Sequence, residues 1–361
     1  DINPDWRIFS RSASDSKGPN TQFLMALDVL ENLGVKTDFN LKVVIDTEEE
    51  LSSPHLPQAV LDNREELASD MLFIFDGPPH RSGGPTLNFG ARGIATLTLK
   101  TFGPKVAQHS GHFGNYAPNP AFHMSRILGS MKSVDGKVTI PGFYDGVEIS
   151  PEVKAILDAV PNDEAAIQKN MGFSLPDMVA ENLELSIQYP SLNIRGLSSA
   201  WVGQQSRTII PPTATTEIDI RLVKESDPEY LLGLIKSHIE DQGYSILDHA
   251  PTDAERAQKK RFVQFNYEIS YPAFRTNFDS IAGDFAKSAL VHLNGSVPIM
   301  LRTMGGSIPI SPFVDTLNIP ALSIPTVNPD NNQDSPNENI RVGNFIDGIA
   351  TIAAVLAEKV E

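Results

Sequence analysis

Acidic side chains at the ends of predicted strands are the groups in this sequence whose type and spacing best suit metal binding or catalysis. They are Asp15, in the turn that opens a predicted helix, Glu48, Glu49 and Glu50 after one apolar strand, Asp76 after a second, and Asp330 and Asp334 after a third. Any one group alone would be explained by helix capping or a solvated loop. Open α/β sheets bind ligands beyond the carboxyl ends of their strands, so acids at three such ends indicate a pocket. Carboxylates that converge there must share protons or bind metal ions.

The overall composition agrees with such a pocket and excludes several other classes of protein. The 361 residues include 45 Asp plus Glu against 29 Lys plus Arg, which gives a net charge of −16. Phosphate binding relies on clustered Lys and Arg, so this balance argues against nucleic-acid partners and anionic membranes. The absence of cysteine excludes disulfides, thiolate zinc sites and cysteine nucleophiles. Composition and spacing alone therefore support a hydrolase-like α/β protein with an acidic, metal-binding pocket.

The elements that must position these acids alternate between helices and apolar strands in the first and last parts of the chain. Helices are predicted over residues 19–33, 281–293 and 345–359, where apolar side chains recur at helical spacing. Apolar, strand-like runs are predicted at residues 41–45, 71–75 and 321–327. This alternation predicts a central mixed, mostly parallel sheet covered by helices on both faces.

The middle of the chain has a different pattern, which predicts a second domain. Strands with alternating side chains are predicted at residues 93–100, 184–187, 213–222 and 262–271, and helices at 120–131 and 227–242. The order strand–helix–strand–strand–helix–strand is that of a ferredoxin-like α+β domain. The predicted architecture is thus a catalytic α/β domain, residues 1–92 and 304–361, interrupted by an inserted lid domain, residues 93–303.

Short motifs along essentially the whole chain resemble, in the same order, those of the co-catalytic zinc aminoacylase, carboxypeptidase and dipeptidase family. Residues 10–19 (SRSASDSKGP) resemble the family signature G-R-G-x-x-D-x-K-G-P, and residues 46–54 (DTEEELSSP) resemble E-G-x-E-E-x-G-S-P. Residues 108–114 (QHSGHFG), followed by Asn119, are similar to H-S-G-x-x-G-G…N-P. The blocks GFYD at 142–145 and SPNE at 335–338 are most similar to the dipeptidase-like branch.

The resemblance implies a specific metal centre. Family members carry two zinc ions bridged by one Asp and a water molecule, and the matching position here is Asp15. Glu50 is then a ligand of one metal and Asp76 a ligand of the other. Glu49 is implied as the general base that takes a proton from the bridging water. The expected cofactors are therefore two divalent metal ions.

The resemblance also implies residues that bind the substrate. His109 corresponds to a lid histidine that, in dimeric members, hydrogen-bonds the substrate carbonyl in the partner's active site. Arg221 corresponds to an arginine that grips the terminal carboxylate, and Ser307, Gly306 and Asn119 are expected as further contacts. A capping histidine and a surface ion pair are the alternatives for the first two. The expected substrates are dipeptides, short peptides or N-acyl amino acids, and the expected assembly is a homodimer through the lid domain.

The sequence departs from the family pattern at both of its zinc-binding histidines. No H-x-D motif precedes Asp15, and because the sequence begins without Met, a missing N-terminal part is expected. Asp334 stands where the second histidine belongs, so one metal would have the oxygen ligands Asp15, Glu50 and Asp334. Such a set makes manganese an alternative to zinc. Ser10 and Ser12 replace the glycines of the signature, which restricts the backbone of that turn.

Two functions from different classes follow. The first is a metal-dependent hydrolase that cleaves an amide bond through a metal-bridging water with a glutamate base, and the retained acids favour it. The second is a degenerate family member that binds peptides or carboxylates with an altered or empty metal site, and Asp334 favours it. The compartment stays open, with a cytoplasmic location slightly favoured.

Overall fold

The computed structural model describes residues 2–360, which divide into two compact units. The first unit contains the residues up to Ala91, residues 149–172 and the residues from Phe274 onwards, and the second contains 92–148 and 173–273. Packing thus assigns residues 149–172 and 274–303 to the first unit, whereas the sequence analysis put them in the lid. The segment from Phe274 supplies a helix and a strand to the core and sheet of the first unit. The functional roles of the two parts stay predictions.

Among the described residues the long strands lie in the second unit, which also has short ones, and the first unit has short strands only. The strands are β1 Arg7–Phe9, β2 Leu72–Ile74, β3 Thr86–Asn88, β4 Gly90–Ala91, β5 Gly93–Phe102, β6 Gln108–His109, β7 Ser191–Ser198, β8 Ile209–Ile210, β9 Thr213–Leu222, β10 Ser245–Leu247, β11 Phe262–Tyr271, β12 Phe274–Arg275, β13 Ile299–Leu301, β14 Ala321–Ser323 and β15 Asn339–Arg341. The α-helices are α1 Lys17–Leu33, α2 Leu56–Asp62, α3 Ser110–Phe113, α4 Pro120–Met131, α5 Pro151–Asp158, α6 Glu164–Met171, α7 Leu183–Ser186, α8 Pro228–Asp241, α9 Asp253–Gln258, α10 Ile281–Asn294, α11 Ser311–Leu317 and α12 Val342–Ala357. Short 3₁₀ helices lie at Glu49–Leu51 and Gly203–Gln205.

A mixed, mostly parallel sheet lies at the centre of the first unit, as predicted. Its strand order is β13-β3-β14-β2, and the β13–β3 and β14–β2 pairs are parallel while β14–β3 is antiparallel. Leu322 packs in a core with residues of α10 and α12, whereas its neighbour Ala321 faces the other side, where Val314 of α11 packs. Helices therefore cover both faces of the sheet.

The first long helix, α1, packs on the last helix, α12. Ala26 and Leu30 of α1 are buried against Ile352 and Leu356 of α12. Gly34 ends α1 in a left-handed conformation, φ 66°, which glycine adopts without steric cost. The predicted helix and its stop at Gly34 are confirmed.

The second unit has the ferredoxin-like order predicted from its alternating strands. The five-stranded sheet has the order β10-β11-β5-β9-β7, and the pairs among β11, β5, β9 and β7 are antiparallel. Along β5 and β9 every second side chain is buried. The buried face packs on apolar residues of α4 and α8, including Ile127 and Ile235.

Two predicted strands are wrong, and both errors have a physical cause. Residues 41–45 are β-rich, but the structure gives them no strand pairing, and Val43 and Ile45 are exposed. A strand needs a hydrogen-bonded neighbour, which composition alone does not supply. Residues 184–187 lie in and just after α7, because Asn182 caps that helix by accepting from the Leu185 N–H. No helix within residues 2–360 is long and apolar enough to cross a membrane.

Candidate metal centre

Three of the predicted metal-binding carboxylates come together in the first unit. One oxygen each from Asp15, Glu50 and Asp334 all lie within 4.8 Å of one another. Asp15 is half-buried, and the other two side chains are exposed. A divalent cation bound at about 2.0–2.6 Å from each oxygen fits between donors at this spacing. We call these three residues the carboxylate trio.

The turn that carries Asp15 is built around a buried glutamate, Glu338. Its carboxylate accepts hydrogen bonds from the backbone N–H groups of Ser12, Ser14 and Asp15 and from the Ser14 hydroxyl, at 3.0 to 3.1 Å. Burial opposes ionisation of Glu338, but these backbone donors outweigh it and lower its pKa. Glu338, the last residue of the SPNE block, thus holds the loop of Asp15 against the chain that follows Asp334.

Steric requirements of the same turn explain part of the signature. A Cβ added at Gly18 would lie 2.1 Å from the Ala13 carbonyl oxygen, so only glycine fits there. Ser12 has φ 63°, the left-handed region that favours glycine, and the family has glycine at this position. The restricted backbone expected for this turn is thus found at Ser12.

A network of asparagines fixes the loop of Asp334. The side chain of Asn339 donates to the carbonyls of Asn331 and Asn337, and Asn331 donates to the carbonyl of Asn328. These side chains replace backbone pairing in a loop of irregular conformation, in which Asp334 itself has φ 57°. The network thus orders the loop whose Asp334 carboxylate lies near those of Asp15 and Glu50.

Glu49 and Glu50 are adjacent in the short 3₁₀ helix that begins at Glu49. Partial burial, followed by repulsion from Asp15 and other neighbouring carboxylates, raises the pKa of Glu49 to about 7. A carboxylate with a pKa near neutrality can both accept and release a proton at physiological pH. All three members of the trio contribute to this repulsion, so the charge of Glu49 is coupled to the trio.

Asp76 lies outside the trio but is linked to it by a hydroxyl group. Ser16 Oγ is 3.1 Å from Asp15 Oδ1 and 2.9 Å from Asp76 Oδ1. A hydroxyl has one proton, so it can donate to only one of these carboxylates at a time. Burial and then repulsion from Asp15 raise the pKa of Asp76 to about 6. The structure brings Asp76 next to Asp15, and Ser16 is a contact that the sequence analysis missed.

Arg11 and Gln333 are two further residues at the trio that the sequence analysis did not assign. Arg11 Nη2 lies 2.8 Å from Glu50 Oε1 and 3.3 Å from Asp334 Oδ1. The Gln333 amide donates to Asp15 Oδ2 over 3.3 Å. Their positions beside Asp15 and Asp334 in the sequence were the available signal, but side-chain direction is not visible in a sequence.

Of the predicted residues in the second unit, His109 and Asn119 both cap helices. The N–H of Gly111 donates to His109 Nδ1 over 3.0 Å, and the N–H of Ala121 donates to Asn119 Oδ1 over 2.9 Å. Because Nδ1 of His109 accepts, the neutral imidazole carries its proton on Nε2. His109 is exposed, and its ring lies 4.8 Å from that of His112.

Arg221 lies in a positively charged part of the second unit. Its Nε is 3.7 Å from Asp219 Oδ2. Burial and then the nearby charge of Arg221 lower the pKa of Arg92 to about 10. Arg92 is a neighbour of Arg221 that the sequence analysis did not assign. In the first unit, Ser307 is half-buried and Gly306 is exposed in an irregular segment after β13.

The donor set tests which metal fits the trio. Three carboxylate oxygens form a hard ligand set, which suits manganese or magnesium as well as zinc. The fold and this site together define a class: an α/β protein with an inserted α+β unit and a carboxylate site for a divalent cation.

Comparisons with known proteins show which proteins this chain is similar to. Residues 89–246 match the M20 peptidase dimerisation domain. The chain is 26% identical to the Cys-Gly metallodipeptidase dug1 of Schizosaccharomyces pombe over 98% of this chain and 73% of that protein. It is 25% identical to the human Beta-Ala-His dipeptidase, over 99% and 69% of the two chains. The M20 family metallo-carboxypeptidase Sso-CP2 from Sulfolobus solfataricus has a similar structure, with a TM-score of 0.82, 25% identity and coverage of 99% and 78%. The chain is thus similar, over nearly its whole length, to metallopeptidases, and its middle part matches the M20 dimerisation domain.

Proposed function

We propose that this protein is a metal-dependent dipeptidase that hydrolyses the amide bond of dipeptides or N-acyl amino acids. The observation that carries the proposal is the carboxylate trio with Glu49 beside it, a cation site next to a base whose pKa is about 7. The similarity to a Cys-Gly metallodipeptidase and a Beta-Ala-His dipeptidase supports a dipeptide as the substrate.

The residues of this chain would divide the chemistry between them. Asp15, Glu50 and Asp334 would hold one divalent cation, and Asp76 with Asp15 would contribute to a second. Bound metal ions would supply Lewis acidity and a water acidic enough to ionise near neutral pH. Glu49 takes the proton of the water that attacks the carbonyl carbon, and delivers it to the leaving nitrogen as the C–N bond breaks.

Residues of the second unit would bind two groups of the substrate, its terminal carboxylate and the oxygen of the scissile carbonyl. Arg221, with Arg92 near it, suits the terminal carboxylate of a dipeptide, because a guanidinium fork matches that planar anion. The Nε2 proton of His109 would be donated to the substrate carbonyl oxygen as negative charge develops there. Asn119, Gly306 and Ser307 are proposed as further substrate contacts. A homodimer through the dimerisation domain is part of the same proposal.

The test is hydrolysis of Cys-Gly, β-Ala-His and an N-acetyl amino acid by the protein, each with EDTA, MnCl₂ or ZnCl₂. We expect amino-acid release from at least one dipeptide, which EDTA abolishes and added metal restores. The all-oxygen trio predicts that Mn²⁺ restores activity at least as well as Zn²⁺.

A non-catalytic member of the family that binds peptides is the second candidate. The observation in its favour is Asp334, at a position where the family pattern has a metal-binding histidine. Binding of a dipeptide in the presence of metal, without release of amino acids from any substrate, would establish this alternative and overturn the enzyme proposal.

A further inference from the structure

Arg11 contacts the carboxylates that the proposed function assigns to a metal ion. Its Nη2 donates to Glu50 over 2.8 Å and to Asp334 over 3.3 Å, and its Nη1 lies 3.7 Å from Glu338 Oε2. The carboxylate groups of Glu50 and Asp334 that accept from Arg11 are the same groups that belong to the carboxylate trio. A guanidinium and a divalent cation would thus bind the same carboxylates.

The two kinds of partner of Arg11 differ in how firmly they are held. Glu338 is buried, and its oxygens accept from the backbone of the Asp15 turn. Glu50 and Asp334 are about half exposed, with relative side-chain accessibilities of 52% and 54%. Arg11 itself is 56% exposed. The exposed Arg11 side chain can therefore leave the two exposed carboxylates, whereas Glu338 is held in place by the Asp15 turn.

Arg11 also offsets repulsion within the acidic group. The trio and Glu49 repel one another, and Arg11 is a positive charge that touches two of the trio members. A cation that enters the trio takes over this neutralisation, but it meets repulsion from a guanidinium a few ångströms away. Arg11 thus stabilises the fold when no metal is bound and weakens the binding of a metal ion.

We propose that Arg11 is an intramolecular counter-cation that competes with the metal ion for Glu50 and Asp334. This inference rests on the proposed metal site and adds a residue that sets its affinity. Because the effector is a permanent charge on the chain, Arg11 lowers metal affinity at every pH, and it keeps the acidic group stable when metal is scarce.

The test compares Arg11→Gln with Arg11→Lys, which keeps the charge, and with Arg341→Gln, a matched loss of an arginine whose partners are Asp330 and Asp5. Calorimetric titration with MnCl₂ at low ionic strength should show about tenfold tighter binding to Arg11→Gln. Arg11→Lys should stay within about threefold of the unsubstituted protein, and Arg341→Gln should match it. In EDTA the melting temperature of Arg11→Gln should be lower, and saturating MnCl₂ should close that gap.

A measurement on the unsubstituted protein makes the test independent of any variant. Phenylglyoxal modification of arginines, mapped by mass spectrometry, should label Arg11 several-fold faster when MnCl₂ is present, while labelling of Arg341 stays constant. Unchanged or weaker Mn²⁺ binding by Arg11→Gln, or labelling of Arg11 that Mn²⁺ does not alter, would overturn the competition. Failure of Mn²⁺ to bind both the unsubstituted protein and Arg11→Gln would instead overturn the metal site of the proposed function, and the competition with it.

Discussion

Asp330 and Asp334 lie four residues apart in one loop of the first unit, yet their surroundings are opposite. Asp330 forms ion pairs with Arg7 and Arg341, and these contacts, with that of Arg341 the largest, lower its pKa. Asp334 lies within 4.8 Å of two other carboxylates and shares Arg11 with Glu50. Asp330 contacts two guanidinium groups, whereas Asp334 shares a single guanidinium group with Glu50.

The difference separates a structural carboxylate from one that is available to a ligand. The paired Asp330 ties strand β1 to β15, whose arginines Arg7 and Arg341 are register partners. In the acidic group around Asp334, burial and then repulsion between carboxylates raise the pKa of Glu49 to about 7 and of Asp76 to about 6. Carboxylates that gather with so little positive charge beside them can be neutralised by a bound cation.

The largest effect is expected when the proposed base is removed and the proposed metal ligands are kept. Glu49→Gln should lower the rate of dipeptide hydrolysis by about 10²–10⁴-fold, because the amide cannot accept the proton of the attacking water. Steady-state kinetics with MnCl₂ measures the loss, and calorimetry should show that Mn²⁺ still binds.

Glu48→Gln is the matched control for Glu49→Gln. Glu48 is the preceding residue, and its carboxylate pairs with His55 instead of the acidic group. This variant should retain hydrolysis within a few-fold of the original rate. If Glu49→Gln also retained hydrolysis, another group would have to be the base.

The second prediction replaces each of the two aspartates, in turn, by asparagine. Asp330→Asn should lower the free energy of unfolding in EDTA by about 1 kcal/mol, the scale of a partly exposed ion-pair network, and leave Mn²⁺ affinity unchanged. Asp334→Asn should weaken Mn²⁺ binding by at least about tenfold, because one ligand of the trio is lost, and change stability in EDTA less than Asp330→Asn. Urea unfolding and calorimetry check both. Equal effects of the two substitutions on Mn²⁺ binding would contradict the comparison.

The sequence distinguishes the two units much better than it distinguishes these two aspartates. Strand β9 and helix α4 have the predicted bounds, because alternation and helical spacing are local patterns that packing in the second unit preserves. The partners of Asp330 and Asp334 are set by tertiary contacts: Arg7 is 323 residues away from Asp330, and Arg11 lies 323 residues from Asp334. Acids at strand ends predicted a pocket, but which acid is neutralised depends on these distant arginines. The unpaired segment 41–45 shows the same limit, since its composition predicts a strand and its neighbours decide.

The smallest expected effect is on the pH dependence of stability, and it tests whether the acidic group is under-neutralised. The pKa of Glu49 is raised to about 7 in the folded protein, while an unfolded glutamate has a pKa of about 4.3. Protonated Glu49 therefore favours the fold, and this contribution is present below pH 4 and is lost as the pH rises through 7.

Glutamine resembles the protonated form, so Glu49→Gln in EDTA should melt a few degrees above the unsubstituted protein at pH 8. The difference should shrink as the pH falls to 5. All other ionisable groups are common to both proteins, so their contributions cancel in the difference. Differential scanning calorimetry between pH 5 and 8 measures it, and Glu48→Gln should show no such trend. A difference that grew towards pH 5 would mean that the fold favours ionised Glu49, and that the acidic group is neutralised as fully as Asp330.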